Sequence, residues 1–113
     1  MTVESTALSN QERAKHMLLE LNIPANMMGY KQLCFAIPLF ATDKDQVLTT
    51  ELYPAVAKHF RIRDWRAVEN SIRRAIRKGW KNGNPDIWRK YFPNQKEPPS
   101  NWHFIATLAE YLE

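Results

Sequence analysis

The chain has 113 residues, of which 44% are apolar and 25% charged, and its formal net charge is +4. That length suits one domain with a modest core, and no apolar run is long enough to cross a bilayer, so a membrane partner is not expected. The lone cysteine, Cys34, excludes a disulfide framework and fits a reducing, cytoplasmic compartment; the opening MTVESTALSNQERAK has no basic start or apolar stretch of the kind a secretory signal needs.

The elements read as all-α in chain order. Sustained period-two alternation is absent, and the Asn-Gly pair in KNGN ends a long helical pattern rather than joining strands. Residues 1–8 are expected to fray, leaving 9–113 as a single helical domain. Ser9-x-x-Glu12 forms a capping box for a first helix that runs to about Asn22, with Ala14, Met17, Leu18 and Leu21 on one face. Pro24 then pushes Ile23 out of helical geometry. A second helix spans about Gly29 to Ala41, and Pro38 inside it predicts a kink or a break. Cys34 sits among apolar neighbours and reads as a small core residue. TDKDQ is a polar connection; it lacks the glycine and the terminal glutamate of a calcium loop.

The third helix spans about Leu48 to Phe60, capped by Thr49 or Thr50, with Leu52, Val56, Ala57 and Phe60 as its apolar stripe. Pro54 is tolerated there because it lies near the first turn. After the link RIRD, Asp64 caps a fourth helix from Trp65 to about Lys81, and Gly83 stops it. Asn84-Pro85-Asp86 opens a fifth helix to about Phe92. PNQKEPPS is a loop, and Ser100 or Asn101 caps a sixth helix. Its inward residues are expected to be Trp102, Ile105, Ala106, Leu108, Ala109 and Leu112.

The fourth helix is the informative one. From Arg61 to Lys81 there are eight basic residues against Asp64 and Glu69, a segment charge of +6 that leaves −2 for the rest of the chain. Concentrated charge of this kind suits a polyanionic partner. At 100° per residue, Val68, Ile72, Ala75, Ile76 and Gly79 fall in one arc, and Arg66, Asn70, Arg73, Arg74, Arg77 and Lys81 fall opposite. One side packs; the other presents guanidinium forks that fit phosphate and the guanine edge. A preceding helix at a short turn completes a helix-turn-helix pattern. No other chemistry competes. His16, His59 and His103 lie on separate helices with no ligand at metal spacing, and no glycine-rich loop, nucleophile elbow or paired acid is present; no metal, cofactor or enzyme activity is expected. Trp65, Trp80, Trp88 and Trp102 read as core residues before stacking platforms, with Trp65 the exception beside the turn.

The segments LNIPANMMGY (21–30), ELYPAVAKHF (51–60), VENSIRRAIRKGWKNGN (68–84) and NWHFIATLAEYL (101–112) occur in an order that resembles one family. It is the C-terminal DNA-binding effector domain of the stage zero sporulation protein A, the master sporulation response regulator of endospore-forming Firmicutes. The resemblance runs from about Ala14 to Leu112. It implies six helices with a central helix-turn-helix, a transcription regulator, and Glu69 and Arg73 on the recognition helix facing the major groove or its phosphates. Two positions depart: where the family has arginine before the Val and after the Glu, this chain has Ala67 and Asn70. The turn reads one residue longer, which lets Arg66 or Arg63 substitute. The family's phosphoacceptor receiver domain does not fit in the dozen residues before the match.

The expected function is therefore sequence-specific binding of double-stranded DNA. The recognition helix, about 65–81, lies in the major groove; Arg66, Glu69, Asn70 and Arg73 read or orient near bases, and Arg63, Arg74, Arg77 and Lys81 hold phosphates. A homodimer or tandem binding on DNA is compatible, although no dimer heptad is present. The rival is a protein-interaction module that pairs with or antagonises a homologous regulator and binds DNA only non-specifically.

Overall fold

In the computed structural model, residues 9–112 are described. Six α-helices form the fold: α1 (Asn10–Glu20), α2 (Met28–Thr42), α3 (Tyr53–His59), α4 (Trp65–Asn82), α5 (Pro85–Tyr91) and α6 (Asn101–Glu110). No strand occurs among the described residues, so the all-α expectation holds. The frayed segment expected at 1–8 lies outside them.

Local chemistry explains most of the boundaries. Ser9 and Glu12 make the reciprocal capping box, Glu12 N–H to Ser9 Oγ at 3.1 Å and Ser9 N–H to Glu12 Oε1 at 3.0 Å. Helix α1 ends two residues before the expected Asn22, which adopts the left-handed conformation (φ 64°) that asparagine tolerates at a helix end. Asp64 caps α4 through the Arg66 N–H, Asn84 caps α5 through the Asp86 N–H, and Ser100, not Asn101, caps α6 through the His103 N–H.

Of the kink or break expected at Pro38, the break does not occur. Helix α2 continues unbroken through Pro38. Its neighbours Ile37 and Phe40 are buried, and that packing outweighs the roughly 3 kcal/mol an internal proline costs. The expected helix over 48–60 is split instead. Leu48–Leu52 forms one π-helical turn, with the Leu52 N–H donating to Val47 O at 3.1 Å, and α3 begins only at Tyr53. Pro54 stands in the first turn of α3, where its missing N–H is tolerated as its position near a helix start predicts. The Glu51 carboxylate accepts the Val47 N–H at 2.7 Å, and neither Thr49 nor Thr50 makes the capping bond expected of it.

Helix α2 is the central element, packed against α1, α4 and α6. Gly29 is what allows α4 to approach: a Cβ there would stand 2.3 Å from Ser71 O and 2.7 Å from Ala75 Cβ. Gly83 also serves proximity rather than a left-handed stop, since its φ is −87° and an added Cβ would meet Gly79 O and Trp88 Nε1, each at 2.6 Å. The Trp88 indole N–H donates to Leu21 O and Gly79 O, joining the ends of α1 and α4 beneath α5. Arg13 closes the fold at the other side by donating to Tyr111 O (2.6 Å) and Leu112 O (3.4 Å).

The core contains Ala14, Met17, Leu18 and Leu21 from α1 and its C-cap, and Val68, Ile72, Ala75 and Ile76 from α4, as the spacing predicts. Cys34 is buried there and burial raises its thiol pKa. Phe60 and Ala106 are only half-buried. Two assignments on α6 change: Phe104 is fully buried, and Trp102, expected inside, is 56% exposed.

Candidate nucleic-acid interface

The turn between α3 and α4 spans residues 60–64. It is closed by the Ile62 N–H donating to Ala57 O at 2.7 Å, with Arg61 left-handed at φ 59°. This is the hydrogen-bond pattern by which a helix ends in a left-handed residue, with arginine in the place glycine usually takes. Trp65 then packs under the turn, its ring stacked on Tyr53 at 5.9 Å and 16°. The two helices of the motif are thus joined by an aromatic pair, as the position of Trp65 beside the turn suggests.

Helix α4 buries Val68, Ile72, Ala75, Ile76 and Gly79 and exposes the opposite side. Arg63, Arg66, Asn70, Arg74, Arg77 and Lys81 are all exposed, and Glu69 and Arg73 are half-buried at the flank. The predicted site residues of α4 therefore lie on or beside one surface, and Arg63 is exposed in the turn that precedes it. Their electrostatic states differ. Arg66 is drawn to its own cap, with Nη1 3.4 Å from Asp64 Oδ1 and its Cζ 5.2 Å from the Trp65 ring centre. Arg73 donates to Asn70 Oδ1 at 2.8 Å and stands 3.8 Å from Glu69 Oε2. By contrast, Arg63, Arg74, Arg77 and Lys81 have no ion pair or side-chain hydrogen bond among the described residues.

This division follows the sequence. Glu69, Asn70 and Arg73 sit three and four residues apart and so meet on one helical edge. Arg74, Arg77 and Lys81 have no acid at such a spacing. Ala67 is exposed and offers only a methyl group where the resembling family carries arginine. Asn70, at the other departing position, supplies the amide oxygen that holds Arg73.

Sequence reasoning missed the contribution of α6. Asn101 Nδ2 donates to Tyr53 Oη and to Glu69 O, both at 3.0 Å, which fastens the first turn of α6 to both helices of the motif. Burial raises the Tyr53 phenol pKa, so it stays a neutral partner. The clue in the sequence was weak: an asparagine after a capping serine is common. The histidines lie apart. His59 stacks on Phe35 at 4.0 Å, His103 meets Phe92 edge-on at 5.3 Å, and His16 is exposed on α1.

An all-helical fold with a short-turn helix pair, whose second helix turns a cationic face outward, defines a helix-turn-helix DNA-binding domain. The chain belongs to the family described as sporulation initiation factor Spo0A C terminal, which matches residues 14–112. That family is the DNA-binding effector domain of a response regulator of sporulation. No helix among the described residues is long and apolar enough to cross a membrane.

Proposed function

We propose that this protein is a sequence-specific double-stranded DNA-binding transcription regulator that acts in the cytoplasm, with α4 as its recognition helix in the major groove. Arg66, Glu69, Asn70 and Arg73 lie near base edges in this reading, and Arg63, Arg74, Arg77 and Lys81 hold phosphates. The observation that carries it is the row of unpaired cations on the outward side of an otherwise tightly packed helix. Cations without internal partners are free to exchange their counterions for phosphate, the main source of DNA affinity. The Asn70–Arg73 bond supports a base-reading role, because it holds a guanidinium fork in a fixed orientation. Two copies bound to half-sites, as a homodimer or in tandem, is the arrangement helix-turn-helix proteins commonly use.

A second reading is favoured by a different feature. Arg66 and Arg73 already have acidic neighbours, and Ala67 reads nothing. A domain whose free cations all serve phosphates binds DNA without choosing sequence, and would act by pairing with a homologous regulator. Selection of random duplexes at low and near-physiological salt separates the two. One enriched motif that survives the higher salt supports the first reading. Salt-labile binding without enrichment refutes it and leaves the second.

A further inference from the structure

A groove of about 750 Å³ runs along the flank of α4 that faces the loop before α6. Its inner wall carries Arg73, Arg77 and Lys81. These residues recur every four positions, so they climb one edge of the helix by about 6 Å per step. That step is close to the separation of neighbouring phosphates on one nucleic-acid strand. Arg73 is committed to Asn70 and Glu69, whereas Arg77 and Lys81 have no ion pair among the described residues.

The outer wall is of another kind. Pro98 and Pro99 lack N–H groups and have fixed φ, which makes the wall stiff. Beside them stands Trp102, the most exposed large hydrophobic residue of the described chain at 56%. Its position is not free to drift, because the adjacent Asn101 is hydrogen-bonded to Tyr53 of α3 and to the Glu69 carbonyl of α4. A large ring held rigidly in water forgoes the gain from apolar burial. A ring set beside a row of cations, two of them without an ion pair, has the composition of a nucleic-acid strand site, in which cations take phosphates and the aromatic face takes a sugar or base.

We propose that this groove seats one sugar–phosphate strand of the bound duplex, with Arg77 and Lys81 on neighbouring phosphates and the Trp102 ring packed against the deoxyribose beside them. The proposal rests on α4 facing DNA and extends the interface to α6, an element whose only formal charge is the carboxylate of Glu110. The strand is the occupant that fits because the cation row is continuous with the outward face of α4. Two carboxylates in the groove wall oppose it: Glu69, which stands 3.8 Å from Arg73, and Glu97, which is exposed and makes no ion pair among the described residues.

The test is fluorescence anisotropy on a labelled random-sequence duplex over a range of salt, for the wild type, Trp102→Ala, Trp102→Phe, Arg77→Ala and Glu97→Gln. A ring releases no counterions. Trp102→Ala should therefore weaken binding by roughly fivefold, the scale of one aromatic contact at an interface, with the log–log salt slope unchanged. Trp102→Phe should restore most of the affinity. Arg77→Ala should flatten the slope by about 0.9, and Glu97→Gln should tighten binding most at low salt. Melting temperatures report folding separately, and Trp102→Phe keeps the test valid if the alanine variant is unstable. Wild-type affinity in Trp102→Ala, with weakened Arg77→Ala, overturns the groove and leaves the α4 face standing. A flattened slope in Trp102→Ala also overturns it, because the tryptophan would then be positioning cations rather than touching DNA. Wild-type behaviour of both variants removes the α4 reading together with the groove.

Discussion

The division between free and tethered cations on α4 gives its sharpest test at Arg74. This side chain is exposed, lies on the outward face, and has no ion pair or hydrogen bond among the described residues. Alanine has the higher helix propensity, so Arg74→Ala should leave stability within about 0.5 kcal/mol of wild type. Its effect should fall on DNA alone. If Arg74 neutralises one phosphate, its loss lowers the magnitude of the log–log salt slope by about 0.9. Between 50 and 200 mM salt the affinity deficit should then shrink by about 3.5-fold, and it should be the same for any duplex sequence. Arg73→Ala should behave differently. It also frees the Glu69 carboxylate and the Asn70 amide that its guanidinium engages. Its cost should depend on sequence, by about 1–3 kcal/mol between a preferred and a mismatched site. Anisotropy titrations against two duplexes at two salt concentrations measure both quantities. Lys15→Ala, on exposed α1 surface, is the control for simple loss of charge. Equal losses for Arg74→Ala and Lys15→Ala, or an unchanged slope in Arg74→Ala, would refute the assignment of α4 as the DNA-facing helix.

Three further outcomes concern the scaffold that holds α4 in place. Gly29→Ala forces a methyl group to within 2.3 Å of Ser71 O and 2.7 Å of Ala75 Cβ, so it should destabilise by about 1–3 kcal/mol and lower the urea midpoint; an unchanged midpoint would mean the α2–α4 crossing is looser than described. Gln32 is fully buried and neither of its amide atoms has a partner among the described residues, so Gln32→Met, of similar volume, should raise stability by about 1–3 kcal/mol in the same assay; a loss would point to a hydrogen-bonded amide. The Tyr91 hydroxyl donates to Glu20 Oε1 at 2.6 Å, and burial, followed by that carboxylate, raises its pKa above the usual 10.0. A raised folded pKa favours folding fully below about pH 10 and loses that contribution as pH climbs through the folded value. Tyr91→Phe should therefore flatten the alkaline fall of the melting temperature, and identical profiles for the two proteins would contradict the pairing.

What could be read from the sequence depended on how local the cause was. The capping box at Ser9 and Glu12, the cap at Asp64 and the two faces of α4 rest on contacts within four residues, and all are present. The unbroken α2 was not legible, because the packing that overrides Pro38 comes from other helices. The π-helical turn was not legible either, because nothing in the spacing of LTTEL distinguishes an i→i−5 pairing from an ordinary helical turn. On α6 the arc does not decide. At 100° per residue Phe104 and Trp102 both lie outside the sector of Ile105, Leu108 and Leu112, about 40° beyond it on one side and about 60° on the other. Phe104 is buried because its flank meets the rings of Trp88 and Phe92, partners that the spacing of α6 does not announce, while Trp102 stays exposed. For the candidate site, the residues of α4 were visible as a periodic pattern, but Asn101 joins it across 32 positions, a contact that no spacing rule detects.

The same long-range contact decides how rigid the proposed DNA-facing surface is. A recognition helix held only by its own apolar face could roll, and cations on long flexible stems would follow. Here α4 is fixed at three points. Gly29 brings α2 against Ser71 and Ala75, the Tyr53–Trp65 stack closes the turn, and Asn101 clamps the Glu69 carbonyl from α6. The backbone of Glu69 is thus held from outside the helix at the position whose side chain stands near Arg73. Pre-organisation of this sort lowers the ordering cost of each contact formed on binding. It should matter most for Arg73, whose proposed base-directed role needs a fixed fork. It should matter least for Arg74 and Lys81, whose proposed phosphate contacts tolerate several orientations. Asn101→Ala therefore should reduce sequence discrimination more than random-duplex affinity. An equal loss on specific and random DNA would show that the clamp serves stability alone.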